Sequence, residues 1–123
     1  MKQPILRPVP QKNKYVLVED YYAEYVGMIF QLKKGFIFDG ASIPIYARAI
    51  TYPPFHPDVM AAAIVHDYLY KNKPVNRKLA DMIFYNRLIV NGVSKIKAKM
   101  MYRALRIFGG FSWKWKDFCG FYF

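Results

Sequence analysis

The chain has 123 residues, which at about 100–200 residues per domain makes one domain with a single core and excludes a multidomain machine. Nineteen Lys and Arg face eight Asp and Glu, a formal net charge of +11, while 54% of the residues are hydrophobic and 19% aromatic. Such a chain has the apolar content to fold, and its natural partners carry negative charge; Cys119, the sole cysteine, excludes an internal disulfide framework and a four-cysteine metal site.

In chain order, residues 1–13 read as an extended arm, with Pro4, Pro8 and Pro10 and no apolar segment of a secretory signal. Synthesis and retention in the cytosol, unless something else exports the protein, is the corresponding expectation. Residues 14–39 hold strand-length apolar stretches, Tyr15-Val16-Leu17-Val18, Glu24-Tyr25-Val26 and Met28-Ile29-Phe30, with bends at Gly27 and Lys33-Lys34-Gly35. They predict two to four antiparallel strands. Gly40, Pro44, Pro53, Pro54 and Pro57 punctuate residues 40–56 as an ordered loop.

Three helices are predicted within residues 57–108. The first begins at Pro57-Asp58 and is ended by Pro74. The second is capped by Asn76 and stops at Asn91-Gly92. The third is capped by Ser94, with Ile96, Met100, Ala104 and Ile107 facing inward, and is expected to end before Gly109-Gly110. Residues 110–123 form an aromatic and basic tail. Short connections make the first two helices antiparallel, so the fold class is α+β: N-terminal antiparallel strands followed by three α-helices in a single domain. The longest apolar run, around Val59 to Val65, falls far short of the ~20 residues that span a bilayer.

Polar residues on apolar faces are where chemistry is sought. His66 and Tyr70 share a helix face at i and i+4, and Asp67 lies about 100° further round. Asp81 comes a tight turn later, so antiparallel packing would bring its carboxylate against the His66 ring. A carboxylate that holds one ring nitrogen protonated leaves the other to take a proton from water. Asp67 and the loop Asp39-Gly40-Ala41-Ser42 could then hold a hard cation such as calcium through carboxylate and backbone oxygens. Zinc is the alternative, with His56, His66 and Asp39 as ligands. The same residues also suit a plainer role: a buried hydrogen-bonded cluster that fixes helix packing, a turn at Gly40 and Ser42, and a structural His56.

The sequence His66-Asp67-Tyr68-Leu69-Tyr70 followed by Asp81 resembles the core of the secreted and parvoviral phospholipase A2 enzymes over about Ala61 to Phe84. That resemblance implies His66 as general base, Asp67 as calcium ligand, Asp81 as the partner of His66 and Tyr70 as a supporting hydroxyl. Asp39-Gly40-Ala41-Ser42 has a single glycine where that family has a glycine-rich loop. From Lys34 to Gly109, the ordered motifs Asp39-Gly40-Ala41-Ser42-Ile43-Pro44, His66-Asp67-Tyr68-Leu69-Tyr70 and Ala80-Asp81 resemble a family of small bacteriophage and prophage proteins of unassigned function. This second resemblance implies a phage source.

The basic face of the third helix and the tail, with Lys95, Lys99, Arg103, Arg106, Trp113, Lys114, Trp115 and Lys116, has the composition of an anionic-surface contact. Two function classes follow. One is a hydrolase acting on lipid or envelope at an anionic membrane surface. The other is a non-enzymatic virion component of capsid, neck or tail, which binds other virion proteins or nucleic acid through its basic surface and aromatic tail.

Overall fold

The computed structural model describes residues 3–10, 14–38 and 57–120. Strands β1 (Leu6–Pro8), β2 (Tyr15–Leu17) and β5 (Ile37–Phe38) form an antiparallel sheet in the order β1-β2-β5, and β3 (Tyr21–Tyr25) pairs with β4 (Met28–Leu32) as a hairpin. Helices α1 (Pro57–Asn72), α2 (Arg77–Val90) and α3 (Lys95–Gly120) follow, the α+β arrangement expected from the sequence.

In the hairpin, alternation decides the faces. Tyr21, Ala23, Phe30 and Leu32 point into the core in the register Tyr21↔Leu32 and Ala23↔Phe30, while Tyr22 and Glu24 point out. Val26 and Gly27 both take positive φ, 45° and 79°, the requirement of the two-residue turn whose twist matches the strands. The N-terminal arm differs from the sequence expectation because it adds a strand. Leu6 pairs with Leu17 and Pro8 with Tyr15 at the sheet edge, where a missing N–H is tolerated.

Helix α1 is buried on nearly every side. Val59, Ala61, Ala62, Ala63, Ile64, Val65, Leu69 and Tyr70 are all core, and the alanines let the neighbouring elements approach closely. Lys73 leaves the helix with φ 51°, and Pro74 follows. Residues 73–76 then turn the chain so that α2 returns along α1. Asn76 caps α2 as expected, its Oδ1 accepting from the Leu79 N–H at 2.8 Å. The helix closes through Val93 N–H to Leu88 O and Gly92 N–H to Ile89 O, both 3.0 Å, with Gly92 at φ 93°.

Helix α3 starts on Ser94, whose hydroxyl accepts from the Lys97 N–H, and departs from the sequence reading in two ways. It continues through Gly109-Gly110 to Gly120, so the first part of the expected tail is helix. A Cβ on Gly109 would lie 2.7 Å from the Tyr70 hydroxyl, and one on Gly110 would lie 3.4 Å from Arg77 Nη1. These glycines therefore admit neighbouring side chains rather than end the helix. The inward stripe is Ala98, Met101 and Leu105, whereas Ile96, Met100 and Ile107 are exposed. Two apolar stripes compete on this helix, and the one that carries small Ala98 and Gly109 packs closest.

Candidate functional site

The three helices converge on one carboxylate. Asp81, in the second turn of α2, has no exposed surface and accepts from all three helical neighbours. His66 Nε2 lies 2.9 Å from Asp81 Oδ1, and the Tyr70 hydroxyl donates to the same oxygen at 2.6 Å. Arg106 Nη1 donates to Oδ2 at 2.8 Å from α3. The i, i+4 spacing on α1 and the tight connection to α2 place His66, Tyr70 and Asp81 together as the sequence predicts. With Asp81 ionised, His66 Nε2 is the nitrogen that donates to it.

Burial alone would push the Asp81 carboxyl up. The bond and charge of His66 outweigh it, together with the bonds from Tyr70 and Arg106, and hold it below the usual carboxylate value. Burial, followed by the negative charge of Asp81 and the bond to it, raises the Tyr70 hydroxyl above its ordinary value against the opposing Arg77 and Arg106 charges. Tyr70 is therefore a fixed donor at neutral pH. The His66 ring is walled by Tyr70 at 4.1 Å and Phe84 at 5.0 Å between centroids, so apolar rings shape the site.

Asp67 is equally buried and turns toward a different neighbour, as expected. Its Oδ2 lies 3.2 Å from Lys71 Nζ, which also donates to Ile37 O of β5 at 2.7 Å and sits over the Phe36 ring. An ammonium thus stands between the carboxylate and the strand carbonyl where a hard cation was expected. Among the described residues no group of three His, Cys, Asp or Glu side chains could hold a metal ion. Asp39, Gly40, Ser42 and His56 lie outside the described residues.

Two residues read from sequence as surface contacts turn inward. Arg106 is drawn to the buried charge of Asp81, and the Trp113 ring packs edge-on against Tyr70 at 5.0 Å, with Lys73 Nζ 4.5 Å above it. Lys95, Lys99, Arg103 and Lys114 are exposed, while the side chains of Trp115 and Lys116 lie outside the described ones. Arg77 Nη2 donates to Arg106 O at 2.8 Å, tying α2 to α3. The contributions of Arg106 and Gly109 were missed. The signal available for both was the continuation of helical spacing past Gly110 into Trp113.

Among the described residues no helix is long and apolar enough to cross a membrane. No solved structure matches the chain. Among curated relatives, an uncharacterised protein y4iH of Sinorhizobium fredii (strain NBRC 101917 / NGR234) is 28% identical over 102 residues, covering 83% of this chain and 43% of the relative. An uncharacterised protein y4jT of the same organism is 34% identical over 83 residues, covering 68% of this chain and 25% of the relative. The chain spans less than half the length of either. The model of a family described as proteins of unknown function, DUF1353, matches residues 15–105, from β2 through both sides of the His66 and Asp81 contact. The chain belongs to that family.

Proposed function

We propose that this is a phage-type protein whose buried cluster is the acid–base centre of a hydrolase for lipid or envelope esters. The observation that carries the reading is the 2.9 Å contact of His66 Nε2 with an Asp81 carboxylate that Tyr70 and Arg106 also hold. In this reaction the His66 ring takes a proton from water as the oxygen bonds to the ester carbonyl. Asp81 stabilises the imidazolium that results. The imidazolium then returns the proton to the departing alkoxide as the carbon–oxygen bond breaks, so one water yields one acid and one alcohol. Tyr70 and Arg106 keep the carboxylate ionised and oriented, as positioning residues.

The complete burial of His66, Asp67 and Asp81 favours a second reading. In it the cluster only locks three helices together, and the protein is a virion component, made in the host cytoplasm and carried in the particle, that binds other subunits or packaged DNA. One experiment separates the two. Fatty-acid release from anionic vesicles and hydrolysis of a soluble short-chain ester are measured for the wild type and His66→Gln, with urea unfolding of both. The hydrolase reading requires release by the wild type and its loss in a folded His66→Gln. Equal, negligible release by both proteins leaves the virion component.

A further inference from the structure

We infer that the outward face of α3 is a docking surface for an anionic lipid bilayer. At about 100° per residue, Ile96, Met100, Arg103 and Ile107 fall in one stripe opposite the buried Ala98, Met101 and Leu105. Ile96 is 76% exposed and Ile107 71% exposed. Lys95 and Lys99 run along one flank of the stripe, and Lys97 with exposed Phe108 along the other. No acidic residue stands between Asp81 and Asp117.

Scattered apolar residues on a surface are ordinary, and so is a solvated basic face. Their coincidence on one helical stripe is the arrangement of a helix lying in a membrane interface. The apolar centre enters the acyl boundary while the flanking lysines extend their charged ends to lipid phosphates. The net charge of +11 opposes pairing of this face with a second copy. Nucleic acid would reward the cations but gains nothing from isoleucines along the centre of the stripe. The inference uses none of the groups at Asp81 and stands apart from the hydrolase reading.

The test is co-sedimentation of the full chain with vesicles of ether-linked lipids, which no carboxylic-ester hydrolase cleaves. One set is phosphatidylcholine alone and the other contains phosphatidylglycerol. The wild type is expected to bind the phosphatidylglycerol vesicles, to bind phosphatidylcholine negligibly, and to weaken as salt is raised. The Ile96→Asp/Ile107→Asp variant, both sites being exposed, keeps its helical circular dichroism and loses affinity by about tenfold or more. Lys95→Gln/Lys99→Gln loses about 25-fold, near fivefold for each cation. Unchanged affinity in the folded isoleucine variant overturns the inference, as does equal binding to both lipids. Sedimentation equilibrium without lipid supplies the remaining outcome: a dimer that the isoleucine variant dissolves assigns the face to a second copy instead. Because the lipid cannot be cleaved, failure of the hydrolase reading leaves this result untouched.

Discussion

Gly109→Ala puts a methyl group 2.7 Å from the Tyr70 hydroxyl, closer than real Cβ contacts allow, and in ordinary contact at 3.7 Å with its ring carbon Cζ. In an exposed helix the same change would stabilise by about 1 kcal/mol through backbone entropy. Here Tyr70 has no room to yield, because it is buried, bonded to Asp81 at 2.6 Å and flanked by Trp113. Either the hydroxyl leaves a charged acceptor, at a cost of about 1.5–3 kcal/mol, or α3 moves and the core is strained by about 1–3 kcal/mol. Net of the entropy gain, Gly109→Ala should destabilise the protein by about 0.5–2 kcal/mol in urea unfolding. Tyr70→Phe removes the clashing oxygen. In that background Gly109→Ala should be neutral or stabilising by up to about 1 kcal/mol, which gives a coupling energy of about 2 kcal/mol in the double-mutant cycle. A Gly109→Ala that stabilises the wild type, or that costs the same in both backgrounds, refutes the close-approach account of this glycine.

Asp81→Asn removes the negative charge and replaces one of the two acceptor oxygens by an NH2 donor, and should cost about 2–4 kcal/mol, reduced from the fully buried case because Arg106 keeps contact with water. Since the folded Asp81 is held below the usual carboxylate value, its contribution is complete above the unfolded value of about 3.9 and is lost as pH falls through the folded one. Urea midpoints measured from pH 5 to pH 2 should therefore fall more steeply in the wild type than in Asp81→Asn, and parallel curves would contradict the assignment. If the Lys71 ammonium stands in for a divalent cation at Asp67, calcium should leave the Tm of the wild type unchanged and raise that of Lys71→Ala. An equal rise in both proteins would restore Asp67 as a metal ligand.

Much of this architecture was legible in the sequence because the signals are local. Asn76 three residues before Leu79 is a cap, and Asn91-Gly92 is a stop whatever packs around them. His66, Tyr70 and Asp81 could be brought together because their meeting needs only helical spacing and a short turn. What escaped depends on a third body. Gly109-Gly110 reads identically as a stop or as a notch until Tyr70 and Arg77 are known to lie against it. Arg106 looks like any basic surface residue until a buried charge is found within its reach. The choice between the Ile96 and Ala98 faces of α3 is likewise made by α1 and α2, whose close approach selects the smaller side chains. The arm hid its strand because Pro8 obscures strand texture, although an edge position accommodates it.

Arg106 gives the cluster at Asp81 a temporal property. The acid sits on α2, the ring and phenol on α1, and the guanidinium on α3, the last of the three to be synthesised. A polypeptide still emerging from the ribosome with only the first two helices released carries that acid without its guanidinium, so the ion cluster closes only once α3 has followed.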